Sequence, residues 1–218
     1  MQDATIITRN LASLRTRIAA AAAGRNADEI TLVAVSKTQP EAAILAAQAL
    51  GLTVFGENRV QEAAEKFPRP GTSLHLIGAL QTNKAAQAVR LATCIESLDR
   101  QKLADAIARA ADAAGCQPTL LVQVNIGDEP QKAGVPRAQA DGFIRAMRSQ
   151  FGPLLRGLMC IPPEGLDPTP FFQHLAALAD THGLPVRSMG MSADFEAAVQ
   201  AGATHIRLGS ALFGSRGG

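Results

Sequence analysis

Three places in the chain set reactive or anion-seeking groups at the ends of apolar runs. The first is Lys37, directly after LVAVS. A lysine amine partly removed from water has its ammonium form disfavoured and its pKa lowered, as imine formation with a carbonyl requires. Followed by Thr38, Gln39 and Pro40, the same residue also reads as a surface lysine opening a loop, and taken alone it favours that reading. The second is Arg207 in HIRLG. Strand alternation can turn it inward, where a guanidinium needs a ring nitrogen, a carboxylate or a phosphate, or outward to a surface acid. The third is the pair of segments MGMSADFEAAVQAG and RLGSALFG. Ser192 reads as a helix N-cap, Asp194 and Glu196 as first-turn acids and Gly202 as the C-terminal stop, while Gly209 and Ser210 open a short final helix. Two neighbouring helix N-termini built from small residues admit a phosphate. Ordinary capping explains Ser192 and Gly202 without a ligand, but not the shared chemistry of the two loops.

The elements that must position these groups form a regular series. Leu11, Leu14 and Ile18 follow helical spacing, so an N-terminal helix is expected to stop near Gly24. Eight strand candidates follow, at Thr31–Ser36, Leu52–Phe55, Leu74–Gly78, Thr93–Ser97, Thr119–Asn125, Leu155–Cys160, Pro185–Met189 and His205–Gly209, with alanine-rich helical patterns between them. Strands such as LVAV and LLVQV are nearly continuous in apolar residues, as in a parallel sheet covered on both faces. Eight βα repeats predict an α/β fold of one (β/α)8 TIM-type barrel over residues 1–218 with an extra N-terminal helix; an open doubly wound sheet is the alternative. Either architecture places ligands at the carboxyl ends of the strands. Those ends carry Lys37, Glu57 with Asn58, Asn125, Met159 with Cys160, SMGMS and RLGS.

Composition narrows the function classes. A formal charge of +2 from 21 basic and 19 acidic residues, without long single-sign runs, gives no support to nucleic-acid binding. Cys94, Cys116 and Cys160 are widely spaced and form no metal-ligand motif, so no metal is expected and the thiols read as reduced, in a cytoplasmic protein. The apolar run at Ile18 to Ala23 is too short to span a membrane, and no signal peptide or anchor is read. The chain contains no tyrosine, which removes one common acid/base group.

A barrel-mouth lysine, an arginine on the last strand and a phosphate cradle beside it would suit pyridoxal 5′-phosphate, which is both an aldehyde and a phosphate ester. The segments LVAVSKTQP, FGENRVQEAAEK, HLIGALQTNK, QVNIGDEPQKAGV, RGLMCIPP and SMGMSADFEAAVQAGATHIRLGSALFG resemble, in order, the pyridoxal phosphate homeostasis protein family. That family is known in bacteria as the YggS family and is related to the N-terminal barrel of alanine racemase. The resemblance implies that Lys37 forms a Schiff base with the cofactor aldehyde. It further implies that Ser192, Gly209 and Ser210, with the backbone around Met191, hold the phosphate, that Arg207 faces the pyridine nitrogen, and that Asn58 lines the pocket near the ring. His75, Gln81, Asn83 and Lys84 match a family motif expected on the same rim, and Lys84 is a candidate for a second, transient cofactor site. Leu76 and Gly127 depart from the family pattern, which usually has an aromatic residue and a serine there.

These assignments favour intracellular cofactor storage or delivery over catalytic turnover, and no catalytic residue is assigned. An arginine does not protonate the ring nitrogen, so the ring stays a weaker electron sink. The racemase resemblance would also call for a tyrosine base and a second domain, and the sequence supplies neither. The expected partners are pyridoxal phosphate, free amino acids and pyridoxal-phosphate-dependent apoenzymes, and the protein is expected to be a monomer. A small racemase or lyase is the first alternative, and an aldolase forming its own Schiff base without the cofactor is the second.

Overall fold

Apolar residues at helical intervals fix the first element of the computed structural model, which describes residues 2–214. Helix α1 (Gln2–Ala22) buries Ile7, Leu11, Leu14 and Ile18 along one stripe and lies against helices that flank the sheet. The chain then alternates: β1 (Thr31–Val35), α2 (Glu41–Ala49), β2 (Val54–Glu57), α3 (Val60–Lys66), β3 (Ser73–Leu76), α4 (Ala85–Leu91), β4 (Cys94–Leu98) and α5 (Gln101–Ala114). It continues with β5 (Thr119–Asn125), β6 (Val135–Pro136), α6 (Arg137–Phe151), β7 (Leu155–Cys160), α7 (Thr169–Thr181), β8 (Val186–Ser188), α8 (Phe195–Gln200), β9 (His205–Leu208) and α9 (Ser210–Phe213). Gly115, at φ +62°, ends α5 in the left-handed conformation that suits a glycine stop.

All strand pairings are parallel, in the order β4-β3-β2-β1-β9-β8-β7-β5, and a further β4–β5 pairing closes the ring. The result is a (β/α)8 barrel, and closure excludes the open doubly wound sheet. The short expected strands near residues 93–97 and 185–189 are present as β4 and β8. One strand was not anticipated: β6 extends the barrel beside the end of β5, pairing Val124 with Val135 and Asn125 with Pro136. Gly134 permits this return, because at φ +118° its missing Cβ leaves room for the backbone nitrogen of Asn125, 2.5 Å from where a Cβ would stand. Two residues, one of them proline, give no sequence pattern of a strand.

Alternation divides the side chains of the ring. One set packs outward against the helices in the large core that includes Ala34, Phe55, Leu74, Leu120, Leu158 and Ile206. The other set fills the barrel, where a small apolar cluster of Cys94, Leu121 and Met159 shares the interior with buried His75, Glu96, Gln123, Ser188 and Arg207. An interior this polar requires each group to have a partner, and those partners organise the site.

Candidate ligand-binding site

At the carboxyl ends of the strands lies a cavity of about 620 Å³ whose wall includes Lys37, Asn58, Met191, Ser192, Arg207, Gly209 and Ser210. All seven residues singled out in the sequence therefore meet at one place. The cavity is also lined by Ile77, Gln123, Lys132 and Ile161, which the sequence reading passed over. A glutamine inside the otherwise apolar run LLVQV was the available signal for Gln123. Its Nε2 donates to the Ala133 carbonyl at 3.2 Å, and its Oε1 is buried without a partner.

Lys37 follows β1 on a turn held by three side chains. Lys66 Nζ donates to the Ser36 carbonyl at 2.7 Å, to Glu57 Oε1 at 3.0 Å and to Glu62 Oε1 at 2.6 Å. Ser36 Oγ donates to Glu57 Oε1 at 2.7 Å, and the Thr38 N–H donates to Glu62 Oε1. Thr38 sits at φ +61°, a costly conformation for a β-branched residue. The peptides on both sides of Lys37 are thus tied to one cluster. Burial raises the Glu57 carboxyl above its ordinary value, and the bonds from Ser36 and Lys66 only partly oppose it. Burial also pushes Glu62 upward, but the bonds from Lys66 and Thr38 and the nearby positive charges outweigh it and leave that carboxyl low. The expected desolvation of Lys37 is not found: the residue is exposed at the open mouth. Glu57, read at a strand end, points into this cluster and not into the cavity.

Arg207 is turned inward and is 4% exposed. Its Nη1 donates to Ser188 Oγ at 2.7 Å and its Nη2 to the Cys160 carbonyl at 2.8 Å. Ser188 Oγ donates to Glu96 Oε2 at 2.6 Å, and His75 Nδ1 lies 2.7 Å from Glu96 Oε1. Burial alone would raise the Glu96 carboxyl, but the bond and charge of His75, the charge of Arg207 and the Ser188 hydroxyl bring it below its ordinary value. His205 stacks on His75 with centroids 5.8 Å apart, and burial lowers its pKa to about 4. Burial pushes the Cys160 thiol up to about 12 against the pull of Arg207, and Cys94 rises through burial and the nearby Glu96. His75, Cys94 and Glu96 lie close enough to gather round a cation. Both Glu96 oxygens are already bonded and the thiol is held protonated, so the set reads as a balanced charge cluster.

The loops after β8 and β9 differ in detail from the expectation. Asp194, not Ser192, occupies the N-cap position of α8, and Ser192 Oγ accepts instead from the Ala211 N–H at 3.2 Å, in the first turn of α9. The chain swings across at Gly190, φ +92°, which carries Ser192 to the neighbouring helix. The Met191 N–H is taken by Asp194 Oδ1 at 2.6 Å, so this particular donor is committed within the protein. Gly202 stops α8 at φ +95°, and Gly209 and Ser210 open α9, as expected. Gly209 is informative because no neighbouring protein atom excludes a side chain there. Its φ is −108°, and an added Cβ would meet nothing nearer than Val35 at 3.6 Å. Gly78, by contrast, is required: a Cβ there would lie 2.3 Å from the carbonyl oxygen of Asn58, the residue it seats beside the cavity.

The expected rim cluster is split. His75 lies inside the barrel on Glu96, while Asn83 lines a separate shallow depression with Lys102 and Arg109. Lys84 ends a 3-10 turn outside the cavity wall. Asn125 ties down its own loop, accepting from the Glu129 N–H at 3.1 Å and donating to the Glu129 carbonyl at 2.8 Å. The departure at Gly127 has a local reason, since a Cβ there would stand 2.3 Å from Pro163 Cγ.

Residues 6–217 match the alanine racemase N-terminal domain family. The chain is 38% identical to the pyridoxal phosphate homeostasis protein of Escherichia coli K12, over 96% of this chain and 97% of that one. It is 39% identical to the protein of the same name from Pseudomonas aeruginosa, over 96% of each. Among solved structures, PipY of Synechococcus elongatus with PLP bound is 38% identical, with a TM-score of 0.81 over 95% of this chain and all of that one.

Proposed function

The chain belongs to the alanine racemase N-terminal domain family and, within it, to the pyridoxal phosphate homeostasis proteins, and we propose that it holds pyridoxal 5′-phosphate reversibly on Lys37 as a carrier. Lys37 would hold the cofactor through its aldehyde, which would supply a carbonyl able to condense with the amine with release of water. The residues fit such a guest. Gly209 leaves a cradle that no protein atom fills, the buried Gln123 Oε1 lacks a partner, and the charged side chains of the wall, Lys37, Lys132 and Arg207, are all basic. In this reading Ser192, Gly209 and Ser210 receive the phosphate, Arg207 meets the ring nitrogen and Asn58 stands beside the ring. A bound ring would also desolvate the Lys37 amine, which is otherwise exposed at the open mouth.

One observation carries the choice of carrier over catalyst. Among the described residues, the wall contains no carboxylate, histidine, cysteine or tyrosine, so a general acid/base partner for Lys37 is missing. Lys132, the remaining amine, is engaged with Glu129 Oε2 at 2.6 Å and the Pro162 carbonyl at 3.0 Å. No helix of the described residues is long and apolar enough to cross a membrane. We read the protein as a cytoplasmic monomer that exchanges its cargo with free amino acids and pyridoxal-phosphate-dependent apoenzymes.

Borohydride reduction of protein saturated with the cofactor, followed by peptide mass mapping, tests the site. A phosphopyridoxyl group on Lys37 supports the assignment, and an unmodified Lys37 removes it. Robust amino-acid turnover that disappears in Lys37→Ala would replace the carrier with an enzyme.

A further inference from the structure

Arg207 cannot set its own direction or balance its own charge inside a barrel. Its guanidinium is always protonated and needs both donors' partners and a counter-charge when buried. The structure supplies these at two removes. Ser188 accepts from Nη1 at 2.7 Å and passes the contact to Glu96 by donating its own proton at 2.6 Å. The Cys160 carbonyl fixes Nη2 at 2.8 Å, leaving the other donors for an occupant of the cavity that Arg207 lines. Glu96 is fully buried and lines no part of that cavity.

We propose that Glu96, acting through the Ser188 hydroxyl, is the positioning residue that fixes the direction of Arg207 and balances its charge beneath the ligand ring. The inference rests on the pyridoxal phosphate reading above. If Glu96 is ionised, the ring meets an oriented donor with its charge largely offset. If that negative charge is removed, the same guanidinium acts unbalanced across the site. A more positive site favours loss of the proton from the lysine–aldehyde linkage, so the pH at which the bound chromophore changes colour must fall. At an effective dielectric near 20, a unit charge acting over a separation on the order of 10 Å is worth about one pH unit, which sets the scale of the expected shift.

The other titratable groups around Glu96 and Arg207 are His75 on β3, Cys94 on β4, Cys160 on β7 and His205 on β9, with Asp194 near Cys160. Burial keeps both thiols protonated and His205 uncharged above about pH 6. With these three groups fixed, the groups that change on substitution are Glu96 and the His75 ring bonded to it at 2.7 Å, and the midpoint reads their net charge.

The experiment uses full-length protein loaded with pyridoxal phosphate labelled with ¹⁵N in the ring, comparing wild type, Glu96→Gln and Ser188→Ala by ¹⁵N resonance position and by absorbance against pH. Glu96→Gln is expected to move the ring-nitrogen resonance and lower the colour midpoint by about one pH unit. Ser188→Ala cuts the bridge but keeps the Glu96 charge, so it should move the resonance with less than half of that midpoint shift. A role confined to folding would change thermal stability and neither signal. If Glu96→Gln fails to fold, Ser188→Ala decides alone. Wild-type resonance and midpoint in variants that still carry the cofactor on Lys37 would overturn the proposal and leave the carrier reading intact. Absence of cofactor from wild-type Lys37 would remove both.

Discussion

Replacing Lys66 by methionine tests whether the turn that carries Lys37 is held by a buried ionic cluster. Lys66 is 13% exposed at its side chain, Glu57 0% and Glu62 22%, so the substitution leaves a carboxylate buried beside a second one. Removing one partner of such a pair typically costs about 3–5 kcal/mol. The lower end applies, because Glu57 is already raised by burial and can escape the penalty by taking up a proton. A loss of about 3 kcal/mol corresponds to a fall in melting temperature of roughly 6–12 °C for a chain of this size.

The sign with pH follows. A carboxyl raised in the folded state favours folding below its unfolded value and loses that contribution as pH rises through its folded value. Lys66→Met raises Glu57 further, so its deficit should be largest near neutral pH and shrink in mild acid. Adding Glu57→Gln should recover about half of the loss, since the amide can still accept from Ser36 without a charge. Guanidinium unfolding at two pH values measures both effects, and the rate at which pyridoxal phosphate becomes reducible onto Lys37 should fall about tenfold as the Thr38 turn loosens. A single-variant loss below about 1 kcal/mol, or a second substitution that costs stability instead of restoring it, would refute the buried-charge account.

Other substitutions separate ligand binding from folding. Gly209→Ala should leave stability within about 0.5 kcal/mol, because the new methyl has room, yet weaken pyridoxal phosphate binding at least tenfold in an equilibrium titration, or about 1.4 kcal/mol. Ser192→Ala removes the acceptor of the Ala211 N–H and should cost about 1 kcal/mol of stability as well as cofactor retention, read by denaturation and by dialysis. His205, lowered to about 4, is neutral when folded and protonated when unfolded between that value and 6.5. Stability present above pH 6.5 should therefore be lost as pH falls toward 4, by up to about 3 kcal/mol, and His205→Asn should flatten that part of the profile.

What the sequence made legible follows from how each feature is encoded. Barrel strands buried on both faces appear as short apolar runs, and all eight were readable, including the weak ones that became β4 and β8. Lys37, Asn58, Gly209 and Ser210 lie just past strands, Arg207 lies in the last one and Ser192 in the loop after β8, and strand ends converge in this fold; their assignment to pyridoxal phosphate came from the family resemblance. The rim motif misled because His75 lies inward on the strand itself, below the mouth, whereas Gln81 to Lys84 follow the strand into a 3-10 turn. Desolvation of Lys37 was misjudged because an apolar strand before a residue does not close the mouth above it. Lys66 and Glu62 were invisible as partners of Lys37, since helical spacing pairs them with each other and only the β1–β2 register brings them under Ser36 and Thr38. Glu96 and Ser188 could have been flagged as polar residues within buried runs, but their link to Arg207 spans 92 and 19 residues of sequence separation.

The distribution of charge explains why a nearly neutral chain can present a strongly anion-seeking cavity. Lys37, Lys132 and Arg207 face the space, whereas Glu57, Glu62, Glu96, Glu129 and Asp194 stand behind the wall and each is bonded to a cation, a hydroxyl or an N–H group. Placed in the wall, those carboxylates would repel a phosphate and serve as bases. Placed behind it, they orient donors and limit the mutual repulsion of the cations. The same placement leaves the cavity poor in groups that exchange protons near neutral pH, because the Cys94 and Cys160 thiols are held protonated, His205 is held neutral, and none of the three lines the space. In the proposed carrier, affinity for a phosphate-bearing aldehyde and a wall poor in acid/base groups follow from one arrangement, and moving a carboxylate into the wall should weaken the first and supply the second.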